Sequence, residues 1–163
     1  MSTAQNTMSE GKGSQGGRVT IKLTSVCPSD TLTRVKARKF DIVIDEPPSN
    51  HGADLGPQPL EYLLGSLAGC TNVIVHKICN ERGITLLDME VDVAGLLDTR
   101  GISGQEKIRV PFPEMRLIVR GKTRNSPADI EILKEELAWR CPVKVIIRES
   151  GSEFKEDWQI EYL

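Results

Sequence analysis

The sequence predicts an α+β fold, and three observations predict it. A nearly all-apolar segment of helical length, with a start and a stop signal, occupies the middle of the chain. Runs alternating between apolar and polar residues flank it on both sides, and two shorter segments at helical spacing precede a final alternating run. At 163 residues the chain fits one domain with a core of its own.

Residues 1–17 are rich in Ser, Gly, Gln and Thr and lack large apolar side chains, so a flexible tail is expected there. They show neither a basic region nor an apolar stretch of a secretory signal, and a cytoplasmic location is the default expectation. From Arg18 onward, Val19, Ile21 and Leu23 alternate with Thr20, Lys22 and Thr24, which predicts a half-buried strand ending near Cys27 and Pro28. Residues 31–37 and 39–45 predict two more strands or one long bent strand. In the second, Phe40, Ile42 and Ile44 face away from Asp41 and Asp45. Residues 46–57 carry prolines and glycines throughout and predict a loop.

The central segment then predicts a helix over residues 59–82. Pro59 suits the first turn, Glu61 sits near the positive end of the helix dipole, and Gly83 is a natural stop. Val73, Ile74 and Val75 would suit a strand equally, but length and end signals favour the helix. Its apolar stretch falls short of the ~20 residues that a membrane span needs. Gly65, Ser66 and Gly69 make one face small, fit either for packing on a sheet or for close pairing with a second helix in a dimer.

Leu87, Met89, Val91 and Val93 predict the clearest strand, with a bulge expected at Gly95. Residues 99–113 predict a long loop, and Met115, Leu117 and Val119 a strand closed by Gly121. Ser126, Pro127 and Asp129 predict the capped start of an amphipathic helix over 127–139. A second, shorter helix opens at Pro142 with Cys141 as its N-cap and ends at Gly151. Phe154, Trp158, Ile160 and Tyr162 share one parity in a last strand.

Charge and composition exclude some functions. A net charge of −2 from 21 basic and 23 acidic residues gives no pull toward nucleic acid or an anionic membrane, and few aromatics leave no stacking platform. Four cysteines, Cys27, Cys70, Cys79 and Cys141, lie far apart without a C-x-x-C pair, and only His51 and His76 could join them, which argues against a structural metal. The chemistry on offer is thiol chemistry, and thiolates are favoured at helix N-termini or beside cations. By that rule Cys141 is the better local candidate, with Lys144 adding charge nearby. Cys70, in mid-helix, needs a cation from elsewhere, which Arg38 or Arg34 could supply. Cys27 and Cys79 are expected to be packing residues; Cys79, nine after Cys70, lies on the opposite helix face. Glu61 stands about 13 Å along the axis from Cys70, so contact requires a broken helix, and capping is its simpler role. His76 is poorly placed as a base, and His51 belongs to the loop.

The segment GADLGPQPLEYLLGSLAGCTNV, the DEPP loop before it, and WRCPVKV, whose cysteine lies 71 positions after Cys70, resemble the OsmC/Ohr family of osmotically inducible and organic-hydroperoxide-resistance proteins over about residues 18–163. The resemblance implies an OsmC-like fold, with antiparallel sheets packed around long central helices in an intertwined homodimer. It further implies a cysteine peroxidase acting on organic hydroperoxides or hydrogen peroxide, with a dithiol reductant and without metal, flavin or haem. Cys70 would be the attacking cysteine and Cys141 the resolving one. Arg38 would be the activating cation, with Arg34 second. One departure separates the chain from Ohr-type members, whose catalytic glutamate directly follows proline. Here Leu60 holds that place and the acid is Glu61, so the chain resembles a broader OsmC-like branch. Two other readings of the same fold are a binding or structural module and a redox sensor with slow turnover.

Overall fold

The computed structural model describes residues 17–163, so the expected tail lies outside the described residues except for Gly17. Two compact units meet in sequence between Pro57 and Gln58. The first holds three short strands, β1 (Thr24–Val26), β2 (Thr33–Ala37) and β3 (Phe40–Ile44), antiparallel in the order β1-β2-β3. Of the strand expected from residue 19 to near Cys27, only Thr24–Val26 forms; residues 19–23 carry no ladder, and Ile21 is 86% exposed. Alternation supplies one apolar face but no partner strand, and an extended segment without a partner is not a sheet strand. β2 and β3 form a hairpin rather than one bent strand, with Ala37 opposite Phe40 and Arg38 in the left-handed region at φ 57.

The loop after β3 is organised by Asp45, which the alternation placed on a polar face and which is instead fully buried. Its Oδ2 accepts hydrogen bonds from the Ala53 and Leu55 backbone N–H groups, each at 3.2 Å. Burial pushes the carboxyl's pKa up, but the N–H groups of Glu46, Leu55 and Ala53 and the Thr31 hydroxyl together outweigh it and hold the group below its ordinary 3.8. Gly52 is required by close approach, since a Cβ there would fall 1.7 Å from the Glu46 carbonyl oxygen. A short 3-10 turn, Pro48–Asn50, lies within this loop.

The second unit is built on α1 (Pro59–Arg82), 24 residues without a break. The Glu61 carboxylate accepts from the Gln58 N–H at 2.8 Å, and Gly83 ends the helix at φ 68. β4 (Leu87–Leu96), β5 (Glu114–Thr123) and β6 (Glu153–Tyr162) form a sheet in that order. The expectation of antiparallel sheets is corrected here, because β5 and β6 run parallel while β4 and β5 are antiparallel. Parallel neighbours need a crossover, and α2 (Pro127–Arg140) with α3 (Pro142–Glu149) is that crossover.

The bulge in β4 lies between Leu87 and Glu90, where Asp88 takes φ 50, and not at Gly95, which pairs regularly with Met115. Gly95 instead makes room for Phe112, whose ring would stand 2.7 Å from a Cβ. β5 runs through Gly121 to Thr123, past the expected end, with Leu86 packed against the glycine. Two clusters fill the unit. Val75, Ile78 and Cys79 of α1 pack with Ile130, Leu133, Leu137 and Cys141, while Leu67 packs with Met115, Leu117, Val119 and Ile147. Among the described residues no helix is long and apolar enough to cross a membrane.

Candidate active site

Two elements of the second unit carry the thiols. Helix periodicity turns Leu67, Thr71, Val75 and Ile78 of α1 into the core, and Cys70 rides at the edge of that face, half-buried against the first cluster. Cys141 occupies the corner between α2 and α3, closing one helix through its N–H to the Leu137 carbonyl at 3.2 Å and opening the next. It is 0% exposed and part of the same cluster. The fold therefore brings together two residues 71 positions apart in sequence, and both are free thiols.

The ionisation of Cys141 runs against the local rule. Burial pushes its thiol up to about 11, and the neighbouring Cys70, as a hydrogen-bonding group and as a charge, pushes in the same direction. The N-terminal amides of α3, those of Lys144 and Val143, do point at the sulfur and pull the pKa down, as the sequence predicts. Desolvation wins. Cys141 is thus a thiol at neutral pH, suited to be a second reactant and not the first nucleophile.

Lys144 adds no charge to the sulfur through its side chain. The ammonium is buried, 2.5 Å from Glu156 Oε1 and 5.8 Å from the centre of the Phe154 ring. Cys79 is a packing residue in the cluster, its thiol raised by burial. Cys27 is exposed in the first unit, 3.8 Å from Thr33 Oγ1.

The unbroken α1 leaves Glu61 about 13 Å along the axis from Cys70. Within one chain its carboxylate serves the start of the helix, and the direct contact that a break would have allowed is absent. His76 Nδ1 bonds the Asn72 carbonyl at 2.9 Å on its own helix, and His51 sits exposed in the left-handed region at the end of the 3-10 turn. Arg38 and Arg34 belong to the first unit, Arg38 with its guanidinium 5.2 Å from the centre of the Phe40 ring and Arg34 exposed on β2. Among the described residues no cluster of three His, Cys, Asp or Glu side chains could hold a metal ion.

Sequence reasoning passed over Arg140, which joins α1 to α2 through Glu81 and Glu136 beside Cys141. The only available signal was its position within the WRCP run, and its partners lie as far as 59 residues away.

Comparison with known proteins gives the arrangement a family. The sequence model described as OsmC-like protein matches residues 51–157. No curated protein sequence matches the chain. Among solved structures, an OsmC-like protein from Mycoplasma pneumoniae superposes with a TM-score of 0.74 at 20% identity, covering 88% of this chain and 99% of that one. An organic hydroperoxide resistance protein from Elizabethkingia anophelis gives 0.62 at 12% identity, with 91% and 100% covered. The organic hydroperoxide resistance protein OhrB of Bacillus subtilis gives 0.56 at 16%, with 86% and 98% covered. These likenesses show a common fold. With the family match extending over most of the chain and both cysteines inside it, the chain belongs to the OsmC-like protein family.

Proposed function

We propose that the protein is a thiol-dependent peroxidase that reduces organic hydroperoxides, with hydrogen peroxide as a second substrate. The observation that carries this reading is the placement of half-buried Cys70 beside fully buried Cys141, whose thiol is held protonated. The Cys70 thiolate attacks the distal peroxide oxygen, the O–O bond breaks, and the alkoxide leaves as the alcohol after taking a proton. Cys70 becomes a sulfenic acid. The Cys141 sulfur then attacks that sulfur, the S–O bond breaks, and the hydroxyl departs as water with the Cys141 proton. A dithiol reductant restores both thiols by exchange, which a reducing, cytoplasmic setting would sustain.

The resemblance assigns Arg38 to stabilise the thiolate, ahead of Arg34. If Arg38 does so, Arg38→Met slows Cys70 oxidation on the order of 10²-fold, while Arg34→Met changes it little. We further propose a homodimer. In its favour, a Cβ at Gly65 or Gly69 would meet nothing within 4 Å, and Val73 on α1 is exposed, so this small apolar side of the helix lies uncovered in one chain.

The reading is tested by peroxide consumption with a dithiol reductant in wild type, Cys70→Ser and Cys141→Ser. Wild type turns over, Cys70→Ser does not, and Cys141→Ser gives one oxidation and stops. Activity retained in Cys70→Ser would overturn the assignment of the nucleophile. A redox sensor with slow turnover is favoured by one observation, the engagement of Glu61 with the start of α1. It predicts the disulfide at one equivalent of peroxide but little sustained consumption.

A further inference from the structure

Two charged contacts flank Cys141 in sequence, and neither takes part in the proposed thiol chemistry. Lys144 ties the start of α3 to Glu156 on β6. Arg140, the last residue of α2, reaches over to α1. Its Nη1 lies 2.7 Å from Glu81 Oε2, its Nη2 donates to Glu81 Oε1 at 3.0 Å, and Nη1 also lies 2.6 Å from Glu136 Oε2 one turn back on α2. Glu136 accepts in turn from Arg82 Nε at 2.7 Å. Four alternating charges thus lace the last turn of the helix that carries Cys70 to the last turn of the helix that ends at Cys141.

This is not an ordinary surface pair. The side chains of Arg140 and Glu136 are only 15% and 12% exposed, and one guanidinium engages carboxylates on two helices. Exposed pairs contribute little, whereas a shielded Arg fork fixes geometry as well as charge. The hydrogen bond to Glu81, followed by that to Glu136, raises the Arg140 pKa further, so the guanidinium stays charged at every working pH.

We propose that Arg140 is a positioning residue for the resolving step, its bond to Glu81 holding the Cys141 corner at bonding reach of Cys70. The inference rests on the thiol-pair reading above. Disulfide formation tolerates Cα separations of about 4.4–6.8 Å only, and a misplacement of about 1 Å can cost up to 10²-fold in rate. Oxidation of Cys70 by peroxide makes and breaks no covalent bond at Cys141, which touches Cys70 only as a hydrogen-bonding neighbour. Arg140 therefore acts on the second step far more than on the first.

The experiment times both steps in single turnover by acid quench and intact mass. In Arg140→Met, which keeps an apolar stem and removes the charge, Cys70 oxidation stays within about twofold of wild type. Disulfide closure slows about tenfold or more, and when peroxide is supplied in excess a second peroxide oxidises the waiting sulfenic acid to sulfinic acid, which accumulates. Closure at the wild-type rate overturns the proposal, and so does equal slowing of both steps, which marks general structural damage. Glu81→Gln removes the charge from the Arg140–Glu81 arm while sparing the Arg140–Glu136 and Arg82–Glu136 pairs. It is expected to slow closure in the same selective way, and it carries the test if Arg140→Met does not fold. The same closure is timed with diamide, which takes two electrons and two protons from the pair without peroxide. If wild type closes with diamide but ignores hydroperoxide, the peroxidase reading falls while the clamp is still measured. If it closes with neither, both fall.

Discussion

At the scale of single residues, the balance at Cys141 keeps its side chain a neutral thiol. Amides at a helix N-terminus lower a thiol's pKa, and those of Val143 and Lys144 do so here, yet full burial overrides them and leaves the thiol near 11. The folded pKa is thus raised above its ordinary value of 9.0. A buried neutral thiol contributes its full stabilisation below the unfolded pKa, and that contribution is lost as pH rises from there toward about 11. The difference in urea midpoint between wild type and Cys141→Ala is expected to hold steady up to about pH 8 and to shrink across that alkaline window. A flat difference over the same range would mean that Cys141 is not desolvated. Asp45 has the opposite sign. Its carboxyl is depressed below 3.8, so its contribution is present above that pH and lost as acid protonates it.

At the scale of elements, Asp45 organises a loop and Gly52 permits its path. Asp45→Asn replaces an ionised acceptor with a neutral amide, and the amides of Ala53 and Leu55 are expected to exchange hydrogen faster than in wild type. Unchanged exchange at both would remove Asp45 from this role. Gly52→Ala drives a Cβ into the Glu46 carbonyl and is expected to destabilise by roughly 1–3 kcal/mol, read from denaturant unfolding. The helices were legible from sequence nearly to the residue, because their end signals are local: proline opens all three, an acidic residue caps the start of α1 and α2, and a glycine closes α1 and follows the end of α3. What depended on distant partners was not. The segment 19–23 alternates without a ladder, and β6 alternates equally well parallel or antiparallel. Asp45 follows the parity of a polar face but is claimed by amides eight and ten residues on. The site divides the same way. Cys70 and Cys141 were legible through the motifs around them, while the outcome of burial at Cys141 and the reach of Arg140 to Glu81 exist only in the folded chain.

At the scale of the whole molecule, the chain shares the OsmC-like family and fold, and the small side of α1 left open in one chain is the face on which the proposed homodimer rests. Sedimentation equilibrium is expected to report twice the chain mass of 18.0 kDa, and a bulky Gly69→Trp to shift that balance toward monomer. A wild-type monomer at all concentrations would remove the helix-pairing argument. The central claim, that Cys70 and Cys141 form one redox pair, is tested most directly by intact mass and peptide mapping after one equivalent of an organic hydroperoxide. A loss of about 2 Da with Cys70 linked to Cys141 is expected, and no such loss in either single cysteine variant. A wild-type chain that gains about 16 Da at Cys70 without forming that link, or that links Cys70 to Cys79, would contradict it.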